Sequence, residues 1–171
     1  MAPHEIFSQM PAALAWQIFG FLFEKEKPLY KATIETLAKK RNLRPVFVER
    51  KPREERFAWL KDSLSRPVND AVAAHLLQVW LVGAQSGVLC DFLDALGIAH
   101  DENGTVETLP AAPAREALAA AVETLLSKHE AGVVAVYLHT FQALHEEGGW
   151  PTLAEVLESD PRLKLALLAA C

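Results

Sequence analysis

The chain has 171 residues, of which 51% are apolar and 23% charged, and its net charge is −5. That length suits one domain with a core large enough to stand without staples, and the composition excludes a disordered or low-complexity chain. Two cysteines, Cys90 and Cys171, are too few for a disulfide framework, so a reducing compartment is expected.

The N-terminal MAPHEIFSQM lacks a positively charged start and the first lysine is Lys25, so a secretory signal is not expected and the cytoplasm is the expected location. The charge is unevenly spread. Residues 25–66 carry 13 basic and 6 acidic residues, an excess of +7, whereas residues 67–171 carry 4 basic and 14 acidic, an excess of −10. Such asymmetry points toward a charged partner or a charged interface.

In chain order, residues 5–24 read as helix, with Pro11 starting the main piece after a short lead-in. Pro28 opens a helix to about Arg41 with Leu29, Tyr30, Ile34 and Leu37 on its apolar face; Lys39, Lys40 and Arg41 fall in its last turn, where the helix dipole favours cations. Pro45 and Pro52 each lack the amide that a continuing helix needs, so each opens a new short helix, and Val46 to Val48 read as a helical turn for want of a partner strand. Arg53 to Leu64 is helical, with Phe57, Leu60 and Leu64 on one side.

Val68 to Ile98 is expected to be the element around which the others pack. From Ala71 to Cys90 it holds no Asp, Glu, Lys or Arg, and its apolar residues reach nearly every helical face. A helix of that kind is enclosed by other helices or by lipid. His75, Gln78, Gln85 and Ser86, with glycines at Gly83 and Gly87, argue against a membrane span, which needs about 20 continuous apolar residues. The expectation is a buried central helix over Val68–Gln85, a break at Ser86 and Gly87, and an amphipathic helix over Val88–Leu96 stopped by Gly97.

His100 to Thr108 is the one non-helical signal: Asn103-Gly104 is favoured in a type I′ turn, so a tiny β-hairpin near residues 98–108 is an open alternative. Helices are then expected over Ala114–Lys128, Ala131–Glu147, Pro151–Ser159 and Arg162–Ala170. The fold class is therefore all-α: a single helical domain over 1–171, a bundle of about seven to nine helices, with a basic portion at 25–66 and an acidic one at 67–171.

No catalytic constellation stands out. GAQSG at Gly83–Gly87 lacks the glycine spacing and the strand-to-helix setting of a nucleophile elbow, and a helix break capped by Ser86 accounts for it. His139 and His145 lie about 240° apart round a helix, so they do not face one ligand sphere. His75 reads as a core histidine and Cys90 as a small buried hydrophobe; an enzyme would need distant residues such as His75, Cys90 and His139 to converge. No cofactor or metal is expected.

The basic stretch carries the functional signal. Lys39, Lys40, Arg41, Arg44, Arg50, Lys51, Arg53 and Arg56 crowd into positions 39–56, interleaved with Phe47 and followed at once by Phe57. The candidate binding residues are Lys40, Arg41, Arg44, Arg50, Lys51, Arg53 and Arg56. The favoured reading is a protein-interaction or scaffold module, homodimeric through this segment, whose cations meet carboxylates of the acidic portion within the chain or across an interface. The alternative is nucleic-acid binding by the same side chains, set back by Glu49, Glu54 and Glu55 and by the overall negative charge.

Overall fold

The computed structural model describes residues 1–106, 108, 110–145 and 149–169. Among them are eleven α-helices and no strand: α1 (Pro3–Gln9), α2 (Ala12–Lys25), α3 (Lys27–Lys40), α4 (Pro45–Glu49), α5 (Arg53–Leu64), α6 (Asp70–Ala84), α7 (Ser86–Ala95), α8 (Arg115–Lys128), α9 (Ala131–Leu144), α10 (Pro151–Ser159) and α11 (Leu165–Leu168). The all-α class is as expected. The count exceeds seven to nine: the lead-in before Pro11 is a helix of its own, α1, and the short helices expected at Pro45 and near the C-terminus, α4 and α11, each add one.

Local chemistry sets the boundaries. Proline occupies one of the first two positions of α1, α3, α4 and α10, where no intrahelical amide is needed. Gly97, at φ +67°, ends α7 as expected: the Ile98 amide bonds the Leu93 carbonyl and the Gly97 amide bonds that of Asp94. Asn42, at φ +54°, closes α3 in the same way through Leu43 N–H to Ala38. The last helix starts later than expected, at Leu165, because Pro161–Leu163 winds as a 3₁₀ turn capped by Asp160.

The bundle has two halves joined by a wedge. In the first, α2, α3 and α5 enclose Phe19 and Phe57, with Phe7 of α1 stacked on Phe19 at 5.9 Å between centroids. In the second, α6 to α8, α10 and α11 surround α9. The wedge is α1, which packs against α5, α6, α9 and α11 and buries Ile6 and Phe7 completely, with Met10 just after it nearly so. His4 fastens it to α6: its backbone amide and its Nδ1 both reach Asp70 Oδ1, at 3.0 and 2.7 Å.

The enclosed rod is the middle of α9 and not the Val68–Gln85 helix. Every residue from Val133 to Thr140 is buried. By contrast α6 buries Ala73, Leu76, Leu77, Trp80 and Leu81 and turns Ala71, His75, Gln78 and Val82 to solvent, so His75 is an exposed residue rather than a core one. The reason is position. α6 lies between the halves with neighbours on one side, whereas α9 has neighbours all round.

The break after α6 falls at Gln85, one residue before the expected point, and α7 leaves at 82° to α6. Among the described residues no single helix is long and apolar enough to cross a membrane.

The hairpin alternative is not realised among the described residues; Glu107 lies outside them. Asp101 uses its carboxylate to accept from the amides of Asn103 and Thr105, at 2.9 and 2.8 Å, which occupies donors a ladder would need. Only Gly104 of the pair has positive φ, so the type I′ geometry is absent. The expected ends of the helices at Glu147 and Ala170, and Cys171 itself, lie outside the described residues.

Candidate functional site

The basic segment folds into the corner made by the end of α3, all of α4 and the start of α5. Proline and the left-handed Asn42 force two tight reversals there, and α4 is too short to bury more than one side chain. It buries Val48. Phe47 is left 60% exposed, with Leu43 at 40% and Val46 at 39% beside it in sequence.

The seven candidate residues divide into two sets. Lys40, Arg41, Arg53 and Arg56 are held by the fold. Lys40 Nζ donates to the Val68 carbonyl at 2.8 Å, tying α3 to the start of α6. Arg41 lies over the Trp59 ring, 5.5 Å from its centroid, and donates to Asp62 at 2.9 Å and Ser63 Oγ at 3.0 Å.

Arg53 sits over Phe57 and Phe23 at 5.2 and 5.6 Å, with Glu24 at 3.7 Å. Arg56 lies over Phe23 and Tyr30 at 5.6 and 5.9 Å and donates to the Glu49 carbonyl at 3.0 Å. Burial pushes the Tyr30 phenol above its usual range, with Arg56 pulling the other way. These guanidiniums act as lids on aromatic rings, where a planar, weakly hydrated cation is well suited.

Arg44, Arg50 and Lys51 form the outer set. All three are exposed. Lys51 makes only a surface pair with Glu55 at 3.4 Å, and Arg44 and Arg50 have no described side-chain partner. Arg44 caps the start of α4 and Arg50 its end, so the exposed Phe47 has a free cation on each side in sequence.

Among the described residues no ion pair joins the two oppositely charged portions. The basic portion pairs with Glu24, Glu55 and Asp62. In the acidic portion, Asp91 pairs with Lys128 and His129, Glu155 with Arg115, and Glu123 and Asp160 with Arg162. The expected pairing of the segment's arginines with acidic-portion carboxylates inside one chain is therefore not seen among the described residues.

The residues named for an enzyme do not converge. His75 stands on the exposed stripe of α6. Cys90 points its thiol at the Glu102 carbonyl, 3.6 Å away, and burial together with Asp94, Asp101 and Asp91 raises its pKa, which disfavours the nucleophilic thiolate. His139 is buried and donates from Nε2 to the Leu163 carbonyl at 3.1 Å, and burial lowers its pKa. The cavity that His139 lines includes neither His75 nor Cys90. Among the described residues no three His, Cys, Asp or Glu side chains cluster in a way that could hold a metal ion.

What sequence reasoning missed is the exposure of Leu43, Val46 and Phe47. The available signal was length: a one-turn helix between Pro45 and Pro52 offers one inward position, so two of its three apolar residues must face out. Comparison with family models, with curated proteins and with solved structures finds no match.

Proposed function

We propose that this chain is a helical interaction module that pairs with a second copy of itself, each basic corner meeting acidic surface of its partner. The observation that carries the reading is Phe47, 60% exposed on α4 and flanked by Arg44 and Arg50 without described partners. An apolar centre with a polar rim is the ordinary anatomy of a protein interface, and arginine is the cation enriched there.

The partner is argued from charge. The excesses of +7 and −10 sit on one chain, yet no ion pair joins the two portions among the described residues. On the acidic portion Glu102, Glu116, Glu130 and Glu158 are exposed and make no described ion pair. Two copies related by a two-fold axis satisfy two such contacts at once, because each presents both surfaces. Nucleic acid is the less favoured partner, since Arg41, Arg53 and Arg56 are already engaged with rings, carboxylates or a backbone carbonyl, which leaves few cations free for a phosphate backbone.

Sedimentation velocity at about 50 mM and about 500 mM salt tests the reading, because exposed charge pairs weaken as the screening length shortens. A dimer at low salt that dissociates at high salt is expected, and Arg44→Glu with Arg50→Glu should leave a monomer at both. A wild-type protein that is monomeric under both conditions overturns self-pairing. A gel shift of short DNA or RNA by less than about 100 µM protein, lost in the same variant, transfers the site to nucleic acid.

A further inference from the structure

We infer that Phe47 of one copy enters a pocket of the second copy, between α6, α7 and α9 in the other half of the bundle, while Arg44 and Arg50 meet carboxylates beside that pocket. The inference rests on the self-pairing reading above and names the surface that receives the basic corner. The pocket holds about 270 Å³ and is lined by α6, α7, α9 and the loop at Gly104–Val106. Leu81, Leu89 and Tyr137 are its buried walls, Phe141 is half-buried, and exposed Val82 and Leu144 form its rim. No residue of α4 lines it, so a Phe47 ring that fills it comes from another copy.

Apolar surface and size are the first match. Val82 and Leu144, 43% and 39% exposed, leave large apolar side chains in water around one opening, as Leu43, Val46 and Phe47 do on the basic corner. Two such patches bury each other when copies pair, and an aromatic ring seated in a pocket is the usual anchor of an interface. A cavity of about 150 Å³ holds benzene, so this one takes a phenyl ring with its methylene. The walls suit the ring: Tyr137 and Phe141 lie edge to face at 6.2 Å, and an entering phenyl extends that cluster.

Charge is the second match. The elements that line the pocket carry no Lys or Arg, since none occurs from Pro67 to Ala114 or from His129 to Pro161. They do carry Asp94, next to the lining Leu93, and Glu102, at the start of the lining loop, both exposed. Among the described residues Asp94 pairs with His100 alone, at 3.2 Å, and Glu102 makes no ion pair. Burial and the carboxylates of Asp94, Asp101 and Asp91 push the Cys90 thiol up, which marks a negative field one residue from Leu89. The sequence runs from Val106 into Glu107 and from His145 into Glu146 and Glu147, adding carboxylates and no cation.

Arg44 and Arg50 stand one on each side of Phe47 in sequence, and a guanidinium takes a carboxylate through paired hydrogen bonds. An apolar hole with acidic surroundings accepts an arginine-flanked phenylalanine and repels another acidic surface. The chain itself supplies that group.

Sedimentation velocity of the full chain at about 50 mM salt reads the pairing constant. Phe47→Ala removes the ring, Val82→Trp covers the pocket from an exposed position, and Gln78→Lys places a cation at an exposed lining position. Each should raise the dimer Kd at least about tenfold with an unchanged circular dichroism spectrum. Phe47→Ala mixed with Val82→Trp brings an intact ring to an intact pocket, so the mixture should dimerise more tightly than either variant alone. In an equimolar mixture of isotope-labelled and unlabelled wild-type chains, isotope-filtered NOEs should join the Phe47 ring to methyl groups of Leu81, Val82 and Leu89. A wild-type dimer that lacks those NOEs, or whose Kd is unchanged in Phe47→Ala or in Val82→Trp, overturns this socket and leaves self-pairing standing. A wild-type chain that is monomeric at low and high salt overturns self-pairing and the socket with it.

Discussion

Asp91 of α7 accepts from His129 Nε2 at 2.7 Å, at the point where α8 gives way to α9. Its second oxygen takes Lys128 Nζ at 2.6 Å, so one half-buried carboxylate holds three helices in register. Lys128 and His129 together hold the Asp91 carboxyl below its ordinary value of 3.8. The unfolded chain therefore binds a proton there at higher pH than the folded one does. The stabilisation is fully present above about pH 4 and is lost as pH falls through the lowered folded value. Asp91→Asn is expected to cost about 1–2 kcal/mol at neutral pH and to flatten stability against pH below about 4, as urea titrations at several pH values will show.

α9 should respond to truncation as a core helix and the exposed face of α6 should not. Leu138 is completely buried, so Leu138→Ala is expected to cost about 2–5 kcal/mol. Val82, 43% exposed, should tolerate Val82→Ala within about 0.5 kcal/mol. Urea unfolding of the pair checks which of the two apolar helices is the enclosed one.

Gly104 holds the 101–106 loop against α7. At φ +75° a side chain is strained, and an added Cβ would lie 2.5 Å from Leu89 Cβ and 3.3 Å from the Cys90 backbone nitrogen. Gly104→Ala is expected to cost about 1–3 kcal/mol and to lift the loop, raising amide exchange at Asn103 and Thr105, whose amides bond Asp101. Exchange measurements on both amides report it directly.

Thr140 offers the opposite sign. Replacing its unpaired buried hydroxyl by a methyl group keeps the β-branched shape, so Thr140→Val is expected to stabilise the free protein by about 1 kcal/mol. A loss of stability in urea unfolding would show that the hydroxyl is already satisfied.

The inner and outer cations of the basic corner should separate cleanly. Arg56→Ala removes a guanidinium lying over Phe23 and Tyr30 and is expected to cost about 1–2 kcal/mol, mostly through lost packing. Arg44→Glu with Arg50→Glu touches nothing described in the fold and should leave stability within about 0.5 kcal/mol per substitution while abolishing self-association. Thermal unfolding beside sedimentation velocity on both variants checks this.

Local chemistry was readable from the residues alone. Prolines announced the starts of α3, α4 and α10, Gly97 announced the end of α7, and apolar spacing placed α5, α8 and α9 to within a few residues, because these signals act over one or two turns. The crowding of cations between Lys39 and Arg56 was equally plain.

Which of two strongly apolar helices becomes the enclosed one was decided only in three dimensions. α6 and α9 are alike in composition, and enclosure depends on how many neighbours the chain topology lays around each: α9 received them on every side, and α6 kept a stripe through His75 and Val82 open. Arginine partners were hidden for a related reason. A guanidinium on a long flexible stem reaches whatever ring or carboxylate the packing brings near, so Arg53 and Arg56 settled on aromatic faces while Arg44 and Arg50 stayed free.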